Sequence, residues 1–67
     1  MAILKVIEVL AESPTSWEDA AKAAVEEASK TVRGIRSIYV ENFQASVRDG
    51  GIDNFRVNAK ITFSVDN

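Results

Sequence analysis

The sequence predicts an α+β fold: a single β-α-β-β domain over residues 1–67, with a three-stranded antiparallel sheet wrapped on one helix. Three observations predict it. Ile52 to Val65 alternates apolar and polar residues with a period of two, Trp17 to Val32 carries an apolar stripe at helical spacing, and Arg48-Asp49-Gly50-Gly51 joins two strand-like segments. A period of two puts successive side chains on opposite faces of a strand. The i, i+3, i+4, i+7 stripe is that of a helix lying on a flat surface.

Ile3 to Leu10 is rich in β-branched residues and apolar on both sides of its alternation, which predicts a strand buried more fully than the last one. Ser13-Pro14-Thr15-Ser16 then opens the helix. Thr15 with Glu18 has capping-box spacing, and Ser13 as N-cap with Pro14 in the first turn is equally permissible. Trp17, Ala20, Ala21, Ala24, Val25, Ala28 and Val32 form the stripe. Its small residues let the axis approach the sheet closely. The other face is charged, with Glu18 before Lys22 and Glu26 before Lys30 as i, i+4 pairs. Gly34 is expected to end a helix of about 17 residues at C′, where positive φ is needed.

In the second strand, Ile35 to Val47, Ile38 and Val40 share one parity while Phe43, Ala45 and Val47 share the other. One face stays inward across that change only if an extra residue is inserted, so a β-bulge is expected near Glu41-Asn42. Asp49-Gly50 between alternating strands predicts a hairpin to the third strand, because the glycines accept positive φ. Phe55, Val57, Ala59, Ile61, Phe63 and Val65 form that strand's dry face, which the helix must cover.

A chain of 67 residues buries only about 60% of its unfolded surface, and ordering it costs roughly 1.5 kcal/mol per residue. With no Cys and no His, it lacks the usual disulfide and zinc staples, and self-association is the expected remedy. Ten acidic against eight basic residues, a net charge of −2, give no electrostatic reason to bind nucleic acid or an anionic membrane. The longest apolar run falls far short of the ~20 residues of a membrane span. Met1-Ala2-Ile3-Leu4-Lys5 does not have the order of a signal peptide, so the expected location is cytoplasmic. There is no Gly-rich phosphate loop and no nucleophile beside a plausible base, which argues against an enzyme.

One helix leaves the other side of the sheet open, displaying Arg56, Asn58, Lys60 and Thr62 beside Asn42, Gln44 and Ser46. Plain solvation explains such a face, and so does a polar subunit interface or ligand wall.

The element order, the Lys-Val-Ile-Glu-Val strand, the Ser-Pro-Thr-Ser-Trp helix opening, the Ala-rich helix and the Phe55-Arg56-Val57 to Phe63-Ser64-Val65 end resemble the dodecin family over nearly the whole chain. The resemblance implies a homo-dodecameric hollow shell that binds paired flavins, riboflavin or FMN, at two-fold-related pockets for storage, without catalysis. In flavin-binding dodecins a Trp near the start of the second strand stacks on the ring, and a Gln of the third strand bonds the ring's polar edge. Ser37 and Arg56 stand at those positions here. Serine offers no stacking surface, and arginine lacks the acceptor of an amide. Tyr39 is the nearest aromatic, sharing the face of Ser37 if the strand is regular. Trp17, in the first helical turn, is expected to anchor the helix rather than replace the missing ring.

The resemblance thus implies a branch without the flavin-stacking Trp, with flavin binding weak or lost. Its helix opening is similar to a branch associated with divalent cations, which makes a structural or calcium-binding dodecamer the alternative and a true flavin store the second. Glu8, Glu12, Glu18, Asp19, Glu41, Asp49 and Asp53 lack the spacing of a calcium loop, yet symmetry can gather one carboxylate from each subunit. The metal ligands are not identifiable from the sequence.

Overall fold

The computed structural model describes residues 2–65. Its elements run β1 (Leu4–Ser13), α1 (Trp17–Ala28), β2 (Ile35–Arg48) and β3 (Gly51–Ser64). The sheet order is β1-β3-β2 with both pairings antiparallel, so the strand with the cleanest alternation lies in the centre. Its dry positions Val57, Ala59 and Ile61 are fully buried, and with Ala20 and Ala24 of α1 they form the core. The small helical side chains allow this close seat on the sheet.

The hairpin is as predicted: Arg48 pairs with Gly51, and the two loop residues Asp49 and Gly50 have φ of 52° and 80°. Positive φ at both positions is the type I′ turn, whose twist matches that of the strands. The bulge also falls where the phase change requires it. Val40 pairs with Ala59 and Asn42 with Asn58, leaving Glu41 as the inserted residue. Two further irregularities leave Arg36 of β2 and Asp53 of β3 without partners in the register.

Five expectations are corrected. β1 is not the more fully buried strand: Leu4, Val6 and Leu10 are exposed, because β1 is an edge strand with nothing covering its outer face. It also extends three residues beyond Leu10, which brings Glu12 into the sheet. The N-cap is Ser16, neither Thr15 nor Ser13; its Oγ accepts from the Asp19 N–H at 2.9 Å. Ser13 instead shapes the approach, accepting from the Thr15 N–H at 2.9 Å and donating to Asp19 Oδ2 at 2.7 Å.

The helix has 12 residues rather than about 17 and ends at Ser29, not at Gly34. Ser29 Oγ donates back to the Val25 carbonyl at 2.7 Å, and β-branched Thr31 and Val32 favour extension over continuing the helix. Gly34, at φ 75°, serves a close approach: a Cβ there would stand 3.0 Å from the Ser64 carbonyl oxygen. Finally, Lys30 pairs with Glu27 at 2.8 Å, one turn back, rather than with Glu26.

A 12-residue helix is about 18 Å long, whereas a 14-residue strand spans roughly 46 Å. The β2–β3 hairpin therefore projects beyond the helix, and the molecule is 51 Å long by 20 Å by 13 Å. Trp17 marks the limit of the cover. Its ring packs edge-on against Phe55 at 4.8 Å and Phe43 at 5.9 Å, and its Nε1 donates to the Gln44 carbonyl at 2.7 Å.

Candidate functional site

The outer face of the sheet is built from the even positions of β3 and the residues the register sets beside them. Arg56 lies between Glu12 of β1 and Gln44 of β2, Asn58 between Leu10 and Asn42, Lys60 between Glu8 and Tyr39, and Thr62 between Val6 and Ser37. The alternation that hides Val57, Ala59 and Ile61 necessarily turns this polar row outward.

Each charged member of the row has a partner. Arg56 donates through Nε at 2.8 Å and Nη2 at 2.6 Å to the same oxygen of Glu12, Oε2. Lys60 reaches past its register neighbours to Glu41, 3.2 Å away, because the bulge aims that carboxylate back across the sheet. The hydrogen bond and charge of Glu41 raise the Lys60 ammonium pKa above its usual 10.5. Asn58 Nδ2 donates to Asn42 Oδ1 at 3.3 Å, while its own Oδ1 is buried with no hydrogen-bond partner. Polar pairs thus cross the central strand at three successive outward positions.

Among the sequence-predicted residues, Ser37 and Tyr39 share the outer face, since residues 37–40 pair regularly with residues 62–59. Both are exposed, Tyr39 to 65%. Arg56 lies on the same face but six residues along β3 from Thr62, the neighbour of Ser37, a separation of about 20 Å. One chain therefore does not bring Ser37 and Arg56 to a common small ligand. Trp17 is on the helix side of the sheet and contributes nothing to this face.

The residues do not fit a flavin held by a stacking ring and an amide. Ser37 provides no ring, and the Arg56 guanidinium is engaged by Glu12. Nor do the carboxylates converge within one chain: among the described residues no group of three or more His, Cys, Asp or Glu is placed to hold a metal. Glu12, Glu41 and Asp53 face cations instead, the last at 3.8 Å from Arg48. Sequence reading named Glu12 only among the carboxylates and missed its role as the partner of Arg56. The continuing alternation Glu8, Leu10, Glu12 was the available signal. No helix of the described residues is long and apolar enough to cross a membrane.

The Dodecin family model matches residues 3–66. The calcium dodecin of Mycobacterium tuberculosis is 35% identical over 65 residues, covering 97% of this chain and 92% of that protein. Its crystal structure, described as a calcium-chelating immunodominant antigen with a novel calcium-binding site, superposes with a TM-score of 0.83, covering 96% of this chain and 91% of that one. A dodecin from Streptomyces coelicolor is similar at a TM-score of 0.93 and 27% identity, covering 98% and 94%. A protein from Thermus thermophilus reaches 0.94 at 22% identity, covering 100% and 98%, a likeness of fold alone.

Proposed function

Since this chain belongs to the dodecin family, we propose that it is a non-enzymatic, self-assembling binding or storage shell, a homo-dodecamer of one-domain subunits in the cytoplasm, whose flavin affinity is weak or lost. The exposed apolar surface carries the assembly. Among the described residues nine large hydrophobic side chains are exposed, against five buried hydrophobic residues, three of them alanine. Among the described residues a single copy fully buries only two large apolar side chains, Val57 and Ile61, and exposed apolar surface on this scale favours an interface. The loss of flavin affinity follows from Ser37 and from Arg56 held by Glu12. Tyr39 is at best an aromatic neighbour of that position.

Light-scattering mass and an absorption spectrum of the purified protein test the shell and the loss of flavin together. A multi-subunit mass without yellow colour is expected; a single-subunit mass refutes the shell. Titration with riboflavin or FMN is expected to leave flavin fluorescence unquenched, whereas tight stoichiometric quenching would restore the reading as a flavin store.

The similarity to a calcium dodecin favours one further reading, in which calcium occupies a site assembled from carboxylates of several copies. Hard cations take six to eight oxygens, more than one chain converges here. Its test is the melting temperature with calcium and with chelator. A rise of several degrees with calcium supports the site, and an unchanged value removes it.

A further inference from the structure

The β2–β3 ladder carries two insertions that cancel. Counting back from Arg48–Gly51 and Val47–Ile52 with nothing inserted sets Val40 opposite Ala59 and Ser37 opposite Thr62, and those are the pairs observed. Only the window between is out of step: Asn42–Ser46 runs against Asn54–Asn58 one residue away from that count, with Glu41 inserted at one end and Asp53 at the other. An uninterrupted hairpin is therefore open to this chain without moving the turn or the pairing at Val40. Each bulge leaves a residue unpaired and disrupts the ladder around it.

Burial holds the bulged register weakly. A register is strongly specified where one face is covered, and the tip of this hairpin projects beyond α1. Phe43, Val47 and Ile52 are 62%, 69% and 55% exposed although they face the helix side. Asn58, opposite Asn42, has a buried Oδ1 with no hydrogen-bond partner, a cost carried in this register. Trp17 is the counterweight. Its ring packs on Phe43 and Phe55, and its Nε1 donates to the Gln44 carbonyl inside the window.

We propose that the β2–β3 hairpin is a two-register element latched by Trp17, in which both bulges are released together and the window slips by one residue. Side chains alternate along a strand, so the slip turns Phe43, Ala45, Val47 and Ile52 to the outer face and brings Asn42, Gln44, Ser46 and Asp53 to the helix side. Phe43 then stands opposite Arg56, in the place Gln44 holds in the bulged register. The outer face is polar around Arg56 in one register and aromatic in the other. A ligand that prefers the aromatic surface draws the equilibrium toward the slipped register by its differential affinity. The device goes beyond the shell reading and holds whether or not copies associate.

The chain has no native cysteine, so engineered pairs report the register directly. Ser46→Cys with Asn54→Cys closes in the bulged register, where the two positions are opposite. Ala45→Cys with Asn54→Cys closes only after the slip, because in the bulged register those side chains leave opposite faces and a disulfide needs converging Cβ atoms. Each pair is placed in the wild-type, Trp17→Phe and Trp17→Ala backgrounds, oxidised, and scored by peptide mapping of the single-chain band. Trp17→Phe keeps a ring and loses only the Nε1 donor, so a folded variant remains if circular dichroism shows that Trp17→Ala does not fold. The expected result is complete closure of the Ser46–Asn54 pair, slow closure of the Ala45–Asn54 pair in wild type, and severalfold faster closure of the latter once Trp17 is replaced. An Ala45–Asn54 pair that stays open in every folded background, while Ser46–Asn54 closes, overturns the second register. A closure rate in Trp17→Phe equal to that of wild type overturns the latch, and the proposal with it.

Discussion

Arg56 shows how one substitution changes what a sheet face can offer. A glutamine at this point of β3 would present a donor and an acceptor, whereas arginine presents donors only, and here two of them are directed at one oxygen of Glu12. Both partners are over 40% exposed, so the pair contributes little to stability, at most about 1 kcal/mol. Its consequence is for binding: a ligand edge needing an acceptor finds none on Arg56 itself, and one needing the Nε or Nη2 donor must displace Glu12. Replacing Ser37 with Trp and Arg56 with Gln in one chain should therefore produce flavin quenching where the wild type shows none. The stacking ring alone is worth about 0.5–1.5 kcal/mol, or up to roughly tenfold in affinity. A double variant that still leaves flavin fluorescence untouched would show that these positions are not what disables the site. Lys60 has a different signature. Glu41 raises its pKa above 10.5, so the pair's stabilisation is fully present below pH 10.5 and is lost as pH rises through the raised value. Lys30, raised by Glu27, titrates in the same range, so the informative quantity is a difference. The melting temperature of Lys60→Met should lie below wild type at neutral pH and converge on it in strong alkali; a gap that persists there would place the effect of Lys60 elsewhere.

At the scale of elements, β2 and β3 were legible, whereas the burial of β1 and the helix ends were not. Periodicity is a property of many residues, so Val57, Ala59 and Ile61 announce their face whatever happens at the strand ends. The Glu41 bulge was legible for the same reason, since a phase change in the apolar pattern has one economical geometric explanation. Helix termini depend instead on which of several adjacent hydroxyls wins a single hydrogen bond. Ser13, Thr15 and Ser16 are all competent caps by type, and Ser16 prevails because Ser13 is drawn to the Thr15 N–H and the Asp19 carboxylate. Gly34 misled for a related reason: its positive φ was rightly anticipated, but it serves the approach to Ser64 rather than the end of α1. The cap assignment can be checked by chemical denaturation. Ser16→Ala should cost about 1 kcal/mol, and Thr15→Ala much less, because the Ser16 hydroxyl is the one that accepts the capping bond from the Asp19 N–H. Equal losses would return the cap to ambiguity.

The whole molecule explains why the site was less legible than the fold. Sequence pattern put Tyr39 on the face of Ser37 and Arg56 on the open face of the sheet, but that these are one face, with about 20 Å between Ser37 and Arg56, appears only once the register is known. It also shows that the long hairpin outruns its helix and exposes Phe43, Val47 and Ile52. With five hydrophobic residues buried among those described, one copy has a small core, as expected at this size. If association covers the remaining apolar surface, folding and assembly are one equilibrium, and any process that binds only folded chains raises apparent stability by mass action. The melting temperature should then climb with protein concentration, and dilution should yield unfolded chains rather than folded single subunits. Thermal melts over a hundredfold concentration range, each paired with a mass measurement, decide the matter. A concentration-independent melt of folded single subunits would mean that the small core of Val57, Ala59 and Ile61 suffices by itself, and that the exposed apolar face is not an interface.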